Sequence, residues 1–343
     1  MDDTPAPRPD GRCEGSSDRA VIFLDASTVR ELLSMETCIT AIEEAFRLHG
    51  EGKAQQPGTL GVHAEHGTFH IKAGVLELAR NYFAAKTNAN FPGNVERYGL
   101  PTIQGVIALF DADRGTPLAI LDSREITSLR TGAATAVAAK YLARADASTV
   151  TICGCGVQGR TQLAAVATVR TLDRVYAVDR SPENAARFAR EMSNELGVRV
   201  TAEPDLAVAA RASDICITCT PSRRAILGAG DINPGAFVAA VGADNPDKQE
   251  LDPALLARSA VVVDILDQAV TSGDLHHAIA AGVMTREAVR AELGAVVAGK
   301  KRGRLNDEEI VIFDSTGTAL QDVAAAAAVY ERAIEEGVAT DTR

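Results

Sequence analysis

The chain has 343 residues, a net charge of −11 and 46% hydrophobic residues. That length suggests two domains. The acidic balance argues against nucleic-acid or anionic-lipid partners, and there is no apolar run of roughly eighteen residues to span a membrane.

Residues 1–20, "MDDTPAPRPDGRCEGSSDRA", are polar and lack the charged start and apolar stretch of a signal peptide. They read as a disordered tail. "VIFLDASTVRELL" opens with a strand, and Ser27 is the expected cap of the following helix. "METCITAIEEAFRLHG" has helical apolar spacing with a stop at Gly50. From Gly58 to Ala89 the pattern is strand-like, including "TFHIKAGVL" and "YFAAKTNA". "LPTIQGVIALFDADRGTPLAILDS" reads as a hairpin turning over Asp111 to Pro117. "EITSLRTGAATAVAAKYLA" reads as a long Ala-rich helix.

From Thr149 the rhythm becomes strand, helix, strand. "TVTICG", "RVYAVD", "RVTAE", "SDICITCT", "AFVAAVGA", "AVVVDI" and "EIVIFDSTG" are strands, with Ser181 capping the helix after the second. This predicts an α/β fold with a doubly wound, mostly parallel sheet of the Rossmann type. An Ala-rich helix over Thr318 to Glu336 is expected to return to the first domain.

In "TICGCGVQGRTQL", Gly154, Gly156 and Gly159 are spaced G-x-G-x-x-G between a strand and a helix, and Asp179 ends the next strand twenty residues later. That is the full context of a dinucleotide-binding loop. Gly154 permits the tight turn, Gly156 admits a pyrophosphate, and Gly159 lets helix and strand pack closely. Val157 and Gln158 complete the expected contact set. Asp179 favours NAD, since a carboxylate accepts from a ribose 2′-hydroxyl and repels a 2′-phosphate; the adjacent Arg180 leaves NADP open. The six cysteines show no framework spacing and, with no export signal, suggest a reduced, cytoplasmic setting. The pairs Cys153/Cys155 and Cys216/Cys219 lie in or at the end of apolar strands, which suits small hydrophobes better than metal ligands; no metal site is expected.

"YFAAKTNANFP", the segment from "GLPTIQGVIALF" through "SLRTGAATAVAAKYLARADA", the glycine loop, "VGADNPDKQELD" and "FDSTGTALQDVAAA" together resemble the ornithine cyclodeaminase/μ-crystallin family, from about Phe23 to Glu336. The resemblance implies a homodimer. Each chain would have a dinucleotide domain (129–317) inserted into an α+β substrate-binding and dimerisation domain (21–128 plus 318–343). It also implies hydride transfer between nicotinamide and an amino or imino acid.

The family's carboxylate clamp falls on Lys86 and Arg130, and its catalytic acid on Asp244. The Arg fork grips a carboxylate bidentately, while an ammonium acts as a point charge. Thr220, Pro221, Gly242, Ser315 and Gly317 are expected around the nicotinamide. The chain also departs from the cyclodeaminases. It has no arginine between Arg47 and Arg80, and the position of their glutamate falls on His70. Alternation puts His70 and Lys72 on one strand face. Lys72 is then the expected third carboxylate ligand and His70 a proton donor. The favoured activity is imine reduction or amino-acid dehydrogenation. The alternatives are an ornithine- or lysine-type cyclodeaminase, or a ketimine-binding protein like μ-crystallin.

Overall fold

The computed structural model describes residues 21–56 and 58–338; the tail expected over residues 1–20 lies outside them. Two sheets organise the chain. The first is built from β1 (Ile22–Leu24), β2 (Ala54–Gln55), β3 (Leu60–Ala64), β4 (Gly67–Glu77), β5 (Asn81–Asn90), β6 (Ile103–Asp111) and β7 (Pro117–Asp122), in the order β1-β7-β6-β5-β4-β2, with β3 also on β4. The β6–β7 hairpin forms where its turn residues place it: Asp111 Oδ1 accepts from the amides of Asp113 and Arg114. One face of this sheet is covered by helix Met35–Glu51 and the last helix, Ala319–Glu335. That last helix is almost wholly buried, which explains its run of alanines.

The second sheet is entirely parallel. Its strands are β8 (Thr149–Cys153), β9 (Arg174–Val178), β10 (Arg199–Ala202), β11 (Ile215–Thr218), β13 (Phe237–Ala240), β15 (Ala260–Val263), β16 (Ala291–Glu292) and β17 (Val311–Asp314). A side ribbon pairs β12 (Arg223–Leu227) with β14 (Gln249–Leu251). The order β10-β9-β8-β11-β13-β17-β15-β16 reverses direction between β8 and β11. That topological switch opens a crevice at the carboxyl ends of the strands, where ligands bind in such sheets.

Three local expectations change. The first cap is Asp25, whose carboxylate accepts from Thr28 N, and Ser27 lies inside the helix. Helix Met35–Glu51 ends at Gly52 with φ +82. Gly50 is there for a different reason: a Cβ would lie 2.1 Å from Gly294 O, so it allows a close helix crossing. Finally, the division at 128/129 falls inside one continuous helix, Ser123–Leu142. This helix packs against both Met35–Glu51 and Val157–Val169 and so joins the two units. Its Gly132 makes the second crossing close, since a Cβ would lie 2.8 Å from Thr161 O.

Candidate functional site

The glycine loop has the shape of an anion cradle. Gly154 has φ +106, and a Cβ there would lie 2.8 Å from Cys219 O. At Gly159 a Cβ would meet Gly154 O at 2.1 Å, so only glycine lets this helix approach the strand. At Gly156, by contrast, a Cβ would meet nothing within 4 Å. The space before it is open, and the helix Val157–Val169 has no side-chain cap on its first amides. Those amides and the helix dipole are therefore free to receive a phosphate. Val157 is left 70% exposed at this mouth, an apolar surface suited to a flat cofactor. Gln158 is half-buried beside it and accepts from Gln162 Nε2 at 3.5 Å.

Asp179 stands at the end of β9. Its two oxygens accept from Cys155 N and Ser181 N, both at 2.9 Å, which fixes the carboxylate at the edge of the loop. Arg180 beside it is exposed. The residues present thus fit a dinucleotide. The described cysteines are poor thiolates. Burial pushes the Cys155 and Cys216 thiols up to about 12, and among the described residues no cluster of three or more His, Cys, Asp or Glu could hold a metal.

Lys72, Lys86 and Arg130, the residues expected to clamp a carboxylate, come together beside the first sheet. Lys72 and Lys86 are direct cross-strand partners on β4 and β5. Like charges placed opposite each other destabilise a sheet, so this pair has another purpose. Lys86 is 4% exposed and its Nζ donates to Asp322 Oδ1 at 2.8 Å. Arg130 Nε lies 3.2 Å from the same oxygen, and its Nη1 donates to Gln321 Oε1 at 2.8 Å. Lys72 Nζ donates to the carbonyls of Gly317 at 2.6 Å and Thr316 at 3.3 Å. Burial lowers Lys86 to about 7, with Asp322 pulling it up and Arg130 and Lys72 pushing it down. Lys72 is lowered by burial and by Arg130. Asp322 resists its own burial because Lys86 and Arg130 hold it below the ordinary carboxylate range. Two cations thus share one carboxylate, and Lys72 beside them has only carbonyl oxygens among the described residues.

His70 also lies on β4, opposite Asn88 of β5, with Nε2 3.2 Å from Thr68 Oγ1. Burial holds it below its usual value, against the pull of Asp244, so it is neutral at neutral pH. Asp244 follows β13. Its Oδ1 receives Lys248 Nζ at 2.8 Å and Asn245 Nδ2 at 3.1 Å. The side chain is 55% accessible, open to an incoming ligand. Burial pushes it up, but Lys248 and Lys72 together hold it below the usual range. Its electrostatic neighbours His70 and Lys72 belong to the first sheet, so the two units converge here.

Gly317 closes the convergence. It has φ +74, and a Cβ there would lie 2.7 Å from Arg130 Nη1. Ser315, just before it, donates its backbone N–H to Ala240 O of β13 at 2.9 Å. Thr220 and Gly242 approach at the neighbouring strand ends, where a Cβ on Gly242 would lie 2.2 Å from Thr220 O; Pro221 beside them is exposed.

Sequence reasoning missed Asp322, Gln321 and Glu250. Asp322 and Gln321 sit in an Ala-rich helix that reads as packing. The available signal was "LQD": two adjacent polar residues on a helix otherwise buried almost throughout.

A glycine cradle at a topological switch, facing a cation-rich pocket, defines an NAD-dependent oxidoreductase acting on a small carboxylate. The model of the ornithine cyclodeaminase/mu-crystallin family matches residues 19–337, and the chain belongs to that family. Among solved structures it is similar to an archaeal alanine dehydrogenase dimer with bound NAD, at 40% identity and a TM-score of 0.89 over 93% of this chain and 98% of that one. The Δ1-pyrroline-2-carboxylate reductase of Thermococcus litoralis, in complex with NADH and L-proline, matches at 36% and 0.88 over 94% and 100%. The iminosuccinate reductase of Paracoccus denitrificans, in complex with NAD+, matches at 34% and 0.88 over 93% and 98%.

Proposed function

We propose that the chain interconverts an α-amino acid and its imino acid with NAD(H), as an imine reductase or amino-acid dehydrogenase. The observation that carries this is the gathering of basic groups: Lys86 and Arg130 share one buried carboxylate, Asp322, and Lys72 beside them bonds to backbone carbonyls instead. A substrate carboxylate completes that balance. NAD supplies the hydride acceptor or donor when bound; the chain's own residues do the rest. Arg130 and Lys86 grip the carboxylate. Lys72 uses two of its three N–H groups on Thr316 and Gly317 and has one left for the same ligand. Asp244, held ionised, faces the substrate nitrogen and stabilises it as ammonium or iminium. His70 lies beside them as a neutral hydrogen-bonding group whose N–H supplies the proton that the nitrogen takes up as hydride adds to the imine carbon, and takes it back in the reverse direction. Thr220, Pro221, Gly242, Ser315 and Gly317 line the nicotinamide. The pyrophosphate rests on Gly154 to Gly159, and Asp179 takes the adenosine ribose, so NAD is preferred over NADP.

No helix among the described residues is long and apolar enough to cross a membrane. The working unit is a homodimer formed through the first sheet. There β3 is exposed along its whole length, and Leu60, Val62, Tyr98, Leu100, Ile103 and Val106 leave a broad apolar surface uncovered. Sedimentation should give a dimer; a dilution-stable monomer with full activity would rule it out.

The decisive experiment offers oxo acids with ammonium or methylamine, cyclic imines, and basic amino acids, and follows NADH and ammonia together. Stoichiometric NADH oxidation with an imine is expected. Ammonia release from ornithine or lysine without net change in NADH would overturn the reading in favour of a cyclodeaminase.

A further inference from the structure

Glu250, at the centre of β14, is completely buried, yet no lysine, arginine or histidine bonds to its carboxylate among the described residues. Four donors surround it instead. Oε1 accepts from Thr220 N at 2.6 Å and Thr220 Oγ1 at 2.7 Å. Oε2 accepts from Gly242 N at 2.7 Å and Thr218 Oγ1 at 2.8 Å. These donors belong to the carboxyl ends of two adjacent strands, β11 and β13. Gly242 makes the arrangement possible, because a Cβ there would lie 2.6 Å from the Glu250 carboxylate.

Glu250 is itself immobilised. Its backbone N–H and that of Leu251 donate to Asp274 Oδ1, both at 2.8 Å. The amides of Asp274 and Leu275 in turn donate to Asp314, at 3.2 and 2.8 Å. Both of these carboxylates are buried as well. On the other side, Asp244 N donates to Gly242 O at 3.1 Å, so the turn carrying Asp244 is built directly on the residue that Glu250 holds. A buried carboxylate without a cation is a poor stabilising device. Its donor set is specific to the two loops that enter the site.

We propose that Glu250 is a positioning residue: it locks the ends of β11 and β13 together so that Asp244 meets the substrate nitrogen. This rests on the role given to Asp244 above. A glutamine is the same shape, but its NH2 must face either Thr220 N–H or Gly242 N–H, leaving one backbone donor without an acceptor in either orientation. The loop carrying Asp244 then shifts without unfolding the sheet.

The test is a double-mutant cycle of Glu250→Gln and Asp244→Asn. It reads kcat and KM with NADH and the faster of Δ1-pyrroline-2-carboxylate or pyruvate with ammonium, together with NADH affinity by fluorescence and the thermal midpoint. Glu250→Gln is expected to lower kcat at least tenfold while NADH affinity changes less than threefold. In the Asp244→Asn background it should add less than twofold. Multiplicative effects, or an unchanged kcat in Glu250→Gln, overturn the proposal while leaving the role of Asp244 intact. An unchanged kcat in Asp244→Asn overturns both. If Glu250→Gln does not fold, Thr218→Val, which removes one donor and keeps the charge, is run through the same cycle with the same criteria.

Discussion

Two charge clusters meet at Gly317, whose carbonyl accepts from Lys72 and whose N–H donates to Asp264, and they are built on opposite plans. Beside the first sheet, Lys86 and Arg130 pair with Asp322 while Lys72 donates instead to the carbonyls of Thr316 and Gly317, so positive charge is in excess. On the parallel sheet, Glu250, Asp264, Asp274 and Asp314 are all fully buried and are held by backbone N–H and hydroxyl groups rather than cations. Asp264, for instance, accepts from Thr316 N at 2.8 Å, Gly317 N at 2.6 Å and Thr316 Oγ1 at 2.9 Å. Burial pushes all four of these acids upward. Apart from Asp274 Oδ2, which has no donor among the described residues, the acid cluster has its donors in place and fixes loops. The cation cluster lacks a matching anion and is poised for a ligand. Comparing local donor and acceptor counts therefore separates scaffold from binding site where burial alone does not.

The sharpest way to break this contrast is to remove the one anion on the cationic side. Asp322→Asn leaves Lys86 and Arg130 without their paired carboxylate. Breaking a buried ion pair typically destabilises by about 3–5 kcal/mol. The thermal midpoint should fall by many degrees, and pyruvate or L-proline should restore more of it in the variant than in the native chain. A variant with an unchanged midpoint would mean that the cluster carries no such strain.

The clamp comes next. Arg130→Ala and Lys86→Ala each lose a charge-assisted, desolvated contact of about 2–5 kcal/mol, or roughly thirtyfold or more in kcat/KM. Arg130→Lys should also fall, because an ammonium does not reproduce the planar fork. NADH affinity should stay near native in all three. If kcat/KM on the best substrate is retained, the carboxylate binds elsewhere.

At the glycine loop, Gly156→Val places a branched side chain in the open space before the helix Val157–Val169. It should weaken NADH binding at least tenfold by isothermal titration with little loss of stability. Unchanged affinity would move the pyrophosphate off this loop.

The glycine loop, the hairpin and the parallel order of strands were legible in the sequence because each depends on local chemistry: turn residues, apolar runs and the spacing of three glycines. Lys86 and Arg130 were reached through motif resemblance, and the structure adds what joins them. Asp322 lies 192 residues beyond Arg130 in the chain, and no local pattern marks a tertiary ion pair of that separation. Glu250 was hidden for a similar reason, since an acid in "KQELD" reads as surface until the donors from two other strands are seen around it. Ser27 and Gly50 were assigned by residue type alone, and neighbours with better geometry, Asp25 and Gly52, are the actual caps.

The smallest expected effect, a pH dependence, turns on Lys86. Burial lowers this lysine from an ordinary 10.5 to about 7. Below pH 7 it is charged in both folded and unfolded chains. Between 7 and 10.5 the unfolded chain binds more protons than the folded one, so the contribution of this group to stability rises with pH. Substrate binding runs the other way, because the neutral amine no longer attracts a carboxylate. From pH 6.5 to 9, KM for a carboxylate substrate should therefore rise severalfold while the thermal midpoint of the free protein does not fall in step. Lys86→Met should raise KM at every pH and flatten its dependence. A native KM that stays constant across this range would show that Lys86 keeps its proton, and that the cationic side is not as unbalanced as its contacts indicate.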